Sequence, residues 1–417
     1  MKSLLAVALV ACAGLAAACG SGSSSAGSGS AHAPVKVGYL LPLTGVFTRN
    51  GTSELDGFKL GLAHFGSSVD GHPIQVTYDD DQGLPAVSLS DARQLVTSVH
   101  VQAIEGPLIS SAIAAVAPYV LAHGIPEDDL YLASPTQAAA YTRFGTGFTS
   151  GWDGFAPTTV GGRWAYDAMH WRHVTTVGLD ISFGWQGVGG FATQFTKLGG
   201  NIDKMIWVPS TAVDMSSFVS SIPSSTQAVF VVLSGAQAAN FVNDYQAFGL
   251  KKHIPLMGIT TLTDQAALPA EKPSAAAGVY TDSQYCDDNP SAVNQAFANS
   301  YHAAYGVYPS YYSEAGYSKA EILVDALKAL HGNVTSAKAL GDAMRAVTIT
   351  APRGPVSLSK VTWSPVEDEY ICKVESVGGT MRNVPVATVT AVPPWGTLSP
   401  AEWTPLFAKT SVSPPSF

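Results

Sequence analysis

The sequence predicts an α/β protein built as two doubly wound parallel-sheet lobes joined by a hinge. Three observations carry this. Short β-rich runs alternate with helical runs in two successive series of similar size, the order that places helices on both faces of a parallel sheet. Apolar residues make up 46% of the chain, enough to bury a large core. The length, 417 residues, suits two or three domains at roughly 150 residues each.

The first series opens with a strand at Val35–Leu41 and a helix over 53–65, where Leu55, Phe58, Leu62 and Phe65 recur at helical spacing. A strand over 74–78 follows, with Ile74, Val76 and Tyr78 on one face. A helix over 85–98 has Pro85 in its first turn, where the missing N–H costs nothing. Then come a strand over 102–105, a helix over 110–123 and a strand over 130–133. The second series runs helix 159–169, strand 174–179, helix 187–198, strand 202–208, helix 215–222, strand 228–233, helix 236–248 and strand 254–257. The chain crosses back through Gly278-Val279-Tyr280 into helices over 290–305, 313–331 and 336–346. Strands follow over 361–363 and 370–374, and Pro393-Pro394 ends regular structure. The expected domains are therefore residues 35–150 with 283–350, residues 151–282 with 351–395, and a tail over 396–417.

The first 19 residues read as a leader. Met1-Lys2 is a minimal positive start, Leu4 to Val10 a short apolar run, and Ala16-Ala17-Ala18 a small-residue exit to Cys19. Cys19 resembles the lipidated cysteine of bacterial lipoproteins, although Leu9-Val10-Ala11-Cys12 also fits and ordinary secretory cleavage is the alternative. Residues 20–34 form a tether, with only Gly, Ser and Ala from Gly20 to Ser30. No later stretch reaches the ~18 apolar residues of a membrane span. A formal charge of −9 without a basic block excludes a nucleic-acid binder. Beyond the leader, Cys286 and Cys372 lack histidines at ligand spacing, so no metal is expected. In an exported protein they could pair as a disulfide, which sequence leaves open.

Several motifs in order resemble the type I periplasmic solute-binding proteins of ABC importers, in the leucine/isoleucine/valine-binding group. They are Val37-Gly38-Tyr39-Leu40-Leu41-Pro42-Leu43-Thr44-Gly45, Leu55-Asp56-Gly57-Phe58, Asp79-Asp80-Asp81-Gln82 and Gly106-Pro107-Leu108-Ile109-Ser110-Ser111. Gly199-Gly200, Gly249-Leu250 and Pro352-Arg353-Gly354-Pro355-Val356 complete the set. The resemblance implies a solute bound between the lobes, where loops at the strand C-termini meet. It implies that Ser110, and with less force Ser111, meets a ligand carboxylate at a helix N-terminus; helix capping is the alternative. Thr136 and Gln137 follow in the next loop, Phe47 and Asn50 in the first, and Gln237 joins the candidate set. Phe183 sits where the family places an aromatic residue across the cleft, with Trp152 and Trp185 nearby; plain core packing is the alternative for each aromatic.

One departure is informative. The group's amino-acid binders carry a glutamate where Thr260 aligns, and it pairs with the ligand's ammonium. No acidic residue lies within three positions of Thr260, and Asp264 is the nearest. A buried ammonium without a carboxylate is costly, so an amine-free aromatic or aliphatic carboxylate gains. The aspartates at 79–81 read as strand-end and helix-start residues. No nucleophile elbow, Walker loop or zinc-protease helix occurs, so an enzyme is not expected. The expectation is a monomeric, cofactor-free lipoprotein on the outer face of the cytoplasmic membrane, passing a small solute to ABC permease subunits. A ligand sensor for a membrane receptor or kinase is the alternative, and an exported enzyme ranks below it.

Overall fold

Two β-sheets organise the computed structural model, which describes residues 32–416. The first is built from β1 (Val35–Leu41), α1 (Thr48–Phe65), β2 (Ser68–Val69), β3 (His72–Asp80), α2 (Pro85–Gln94), β4 (Ala103–Glu105), α3 (Ser110–Ala122), β5 (Glu127–Tyr131), α4 (Pro135–Phe144) and β6 (Gly147–Trp152). Its strand order is β2-β3-β1-β4-β5-β6, parallel except for β2. The second series is α5 (Ala156–Asp167), β7 (His173–Leu179), α6 (Ser182–Lys197), β8 (Asn201–Val208), α7 (Ser216–Ser220), β9 (Ala228–Val232), α8 (Gly235–Ala247), β10 (Leu256–Ile259), α9 (Pro273–Ala276) and β11 (Tyr280–Ser283). The chain then returns as α10 (Ala292–Tyr305), α11 (Tyr311–Ala329) and α12 (Ala337–Ala346). It ends in β12 (Ile349–Ala351), β13 (Gly354–Leu358), β14 (Pro365–Val377), β15 (Thr380–Val392) and α13 (Pro400–Thr410).

The second sheet runs β12-β13-β14-β11-β10-β9-β7-β8, with β15 on β14. Strands β7 to β11 are parallel, and the returning strands add to them antiparallel. Helices α11 and α12 pack on the first sheet: Leu323, Leu327, Leu340 and Met344 share a core with Val35, Val37 and Leu41. Small residues set how closely α11 approaches α1. A Cβ on Gly57 would lie 1.9 Å from the Ser313 carbonyl oxygen, and one on Gly316 would lie 2.1 Å from that of Glu54. The resulting contact buries Lys319, whose Nζ lies 3.7 Å from both Glu54 and Glu105 and 4.0 Å from Asp128. Asp80 and Asp81 brace local loops, accepting from Leu43 N, Thr44 N and Gly83 N.

The structure differs from the sequence expectations in several places, of which four bear on the core and the chain's end. Strand β5 is Glu127–Tyr131, three residues earlier than expected, because its carboxylates are buried against Lys319, Ser150 and Gln137. Helix α4 and strand β6 fill a stretch given no element. Residues 361–363 are a turn, not a strand, with Trp363 at φ +55°. Beyond Pro393-Pro394 the chain re-enters regular structure as α13, which opens with a Ser399–Glu402 capping box and packs Trp403 and Phe407 against Phe155.

Cys286, just after β11, is joined to Cys372 of β14 in a disulfide with a Cα–Cα distance of 5.9 Å. The bridge spans 86 residues and pins the return crossing to the second sheet. Replacing both cysteines with alanine is expected to lower the unfolding free energy by about 4 kcal/mol. Urea unfolding of the double variant beside the parent measures this.

Candidate ligand-binding site

Loops at the C-terminal ends of β1, β4, β5, β6, β7, β9 and β10 converge between the sheets. They enclose a cleft with about 440 Å³ of empty space, mouth included. The first lobe supplies Phe47, Leu108, Ile109 and Ser110, then Leu130 and Tyr131, then Trp152, and from the start of α11 Tyr311 and Tyr312. The second lobe supplies Leu179, Ile181, Phe183, Ser234 and Thr261. Gly235 lets the second lobe approach: at φ +61°, a Cβ there would lie 2.9 Å from the Val46 carbonyl oxygen.

The walls are aromatic; Trp152 meets Phe183 and Tyr311 edge to face and Tyr131 at a tilt. Trp152 lies 5.3 Å from Phe183 and 5.4 Å from Tyr131, and Tyr311 lies 6.4 Å from Trp152. Most polar side chains in the wall are already engaged. Tyr131 Oη donates to Gln186, Ser234 Oγ accepts from Asn50 at 2.8 Å and pairs with Tyr312 Oη, and Thr261 Oγ1 donates to the Leu233 carbonyl. Three wall donors are buried without a partner: Ser110 Oγ, Trp152 Nε1 and Tyr311 Oη. Unpartnered buried polar groups are rare because each one costs desolvation energy. Three of them share this one cleft. Burial holds the Tyr311 phenol well above its usual range, against the pull of Arg353, so it stays a donor. The lining contains no aspartate, glutamate, lysine or arginine. The nearest acid by sequence, Asp264, lies outside the lining, and burial raises it to about 7.

The structure brings together only part of the expected set. Ser110 lines the cleft; it is the first residue of α3 rather than its cap, which is Ile109, and the cap makes no side-chain hydrogen bond. Phe47 and Phe183 line it too. Asn50 lies behind the wall and reaches across to Ser234. Ser111 is half-buried outside the lining. Thr136 points to the exterior, and Gln137 spends its amide on Asp129, the Ala133 N–H and the Tyr131 carbonyl. Gln237 ties α8 to the carbonyls of Pro209 and Ala212. Thr260 is buried, but the wall residue at that turn is Thr261. Trp185 donates to Asp180 outside the cleft. Among the described residues no cluster of acidic, histidine or cysteine side chains could hold a metal. The residues that sequence reasoning missed include Tyr131, Tyr311, Tyr312 and Ser234. The Ser310-Tyr311-Tyr312 start of α11 carried a signal, a cap serine before two aromatic residues, but nothing local says that it faces the cleft.

Residues 34–379 match the family of periplasmic binding proteins, and the chain belongs to that family, in its type I Leu/Ile/Val-binding-protein-like group. A Leu/Ile/Val-binding protein homolog 6 of Brucella melitensis is 29% identical over 364 residues, covering 85% of this chain and 91% of the relative. A solute-binding protein of an ABC transporter from Rhodopseudomonas palustris BisB5, solved with 3,4-dihydroxybenzoic acid, is 28% identical with a TM-score of 0.82. It covers 89% of this chain and 99% of its own. Another R. palustris solute-binding protein, solved with benzoate, is 27% identical with a TM-score of 0.77, covering 88% and 100%. Relatives and neighbours alike are solute-binding proteins rather than enzymes.

If the Tyr311 hydroxyl is reserved for a ligand, removing it relieves the folded protein. Tyr311→Phe is expected to leave the unfolding free energy unchanged or raise it by up to about 1 kcal/mol, while weakening solute binding about tenfold. Thermal melts and calorimetry on the same preparation check both halves.

Proposed function

We propose that the protein is the extracytoplasmic solute-binding subunit of an ABC importer. It captures an amine-free carboxylate with an aromatic or branched apolar body and delivers it to the permease. One observation carries the solute class: the free donors of the cleft all stand on the first lobe, and no charged side chain stands on either wall. A carboxylate placed among Ser110, Trp152 and Tyr311 at the start of α3 accepts from neutral donors and the positive end of the helix dipole. Its apolar body then meets Phe47, Phe183 and Leu179. An α-ammonium group would be buried with no carboxylate opposite it, a cost of several kcal/mol. The complexes of two related proteins with benzoate and 3,4-dihydroxybenzoate support an aromatic acid.

Closure of the second lobe would exclude water and strengthen the hydrogen bonds to the carboxylate. The Cys19 lipid anchor and the Gly/Ser tether, which lie outside the described residues, would hold the protein beside its permease. Among the described residues no helix is long and apolar enough to cross a membrane.

Thermal-shift screening followed by titration calorimetry tests the reading. Benzoate and its ring-substituted analogues are expected to bind in the micromolar range, and leucine to give no response. Micromolar leucine binding, with no response to amine-free acids, would overturn it.

A further inference from the structure

Gln186 belongs to α6 of the second lobe and is wholly buried, yet both ends of its amide are committed to the first lobe. Its Oε1 accepts from Tyr131 Oη at 2.5 Å, and its Nε2 donates to the Ala133 carbonyl at 2.7 Å. Both partners sit at the exit of β5, where Tyr131 also turns its ring into the cleft wall. One turn ahead of Gln186, Phe183 meets that ring at 5.8 Å from within the wall. A solute pressing on Tyr131 and Phe183 therefore touches the same two elements that the Gln186 amide joins.

We propose that Gln186 is a positioning residue, an interlobe latch that converts a filled cleft into a closed one and sets how long a solute stays. This rests on the reading that the cleft takes a solute by closure of the lobes. Both hydrogen bonds are between protein groups, so they form alike with any solute. The latch therefore acts on the closed fraction and scales every affinity by one factor. Ser110, Trp152 and Tyr311 differ in this respect, because they meet the solute and change the ratio between one acid and another. Opening breaks both amide bonds together, and water replaces them only in part of their strength, so losing the pair costs about tenfold in affinity.

Two variants test the proposal: Gln186→Leu, which keeps the volume and removes both bonds, and Tyr131→Phe, which keeps the ring and removes one. Stopped-flow release of benzoate and of 3,4-dihydroxybenzoate is expected to quicken by the same factor for both acids, about tenfold in Gln186→Leu and less in Tyr131→Phe. The double variant should release no faster than Gln186→Leu by more than about twofold, since the hydroxyl has then lost its acceptor. Small-angle scattering without added acid should show a larger radius of gyration in both variants than in the parent, with melting temperatures within a few degrees. Parent-like release and scattering would overturn the latch, and so would quickened release of one acid alone. If neither acid binds the parent, the solute reading fails, and the scattering comparison still decides the latch.

Discussion

The geometry of the cleft depends on one buried side chain at the hinge. Arg353, in the turn between β12 and β13, donates from Nη2 to the Ser150 carbonyl of β6, from Nη1 to Glu314 of α11 at 2.5 Å, and from Nε to Glu367 of β14 at 2.6 Å. It is fully buried. Burial works against its charge, but Glu314 and Glu367 outweigh it and hold the guanidinium above its ordinary range. Ser150 is two residues from Trp152, and Glu314 is three from Tyr311. The planar fork of an arginine thus fixes two of the three free donors relative to each other and to the second sheet. A buried ion pair of this kind adds little net stability, since desolvation nearly cancels the attraction. What it secures is a single geometry where the chain passes between lobes.

On that frame the two lobes divide the work. In the cleft wall the first carries three donors left without partners, and the second contributes apolar side chains with Ser234 and Thr261 already hydrogen-bonded. On the proposed reading, preformed, unpartnered donors cost stability in the absence of a solute and return it as affinity, because they need no reorganisation to meet a carboxylate. On the same proposed reading, discrimination against an amine rests on the absence of a countercharge in the cleft lining rather than on any obstructing group.

Much of this was legible in the chain. Strand β1 falls on the expected residues, and the order of elements follows from alternating periodicity. Ser110 and Phe183 could be named from the family resemblance, and Phe47 because the loop after the first strand faces the crevice of a parallel sheet. The reading failed where burial was carried by polar residues. No element is expected at Glu127, Asp128 and Asp129, yet they are wholly buried, with Lys319 and Ser150 beside Asp128 and Gln137 on Asp129. Gln137 and Gln237 look like ligand donors until neighbouring carbonyls and the Asp129 carboxylate take up their N–H groups. At position 260 the candidate threonine is buried beside the cleft, and the wall residue is its neighbour Thr261, on the short helical turn after β10.

The sequence by itself determined the α/β class, the two-series order, the placement of one serine and two aromatic residues in the cleft, and the absence of an obvious countercharge for an amine. The class and the element order follow from local spacing and residue type, and the cleft residues and the missing countercharge from the ordered motifs of the family resemblance. Only the tertiary structure decided which polar groups stay unpartnered, that Tyr311 and Trp152 share a wall, and that Cys286 meets Cys372. Whether a hydroxyl or an amide is free depends on every acceptor within about 3 Å of it, and those acceptors come from segments distant in sequence, a fact no local pattern encodes.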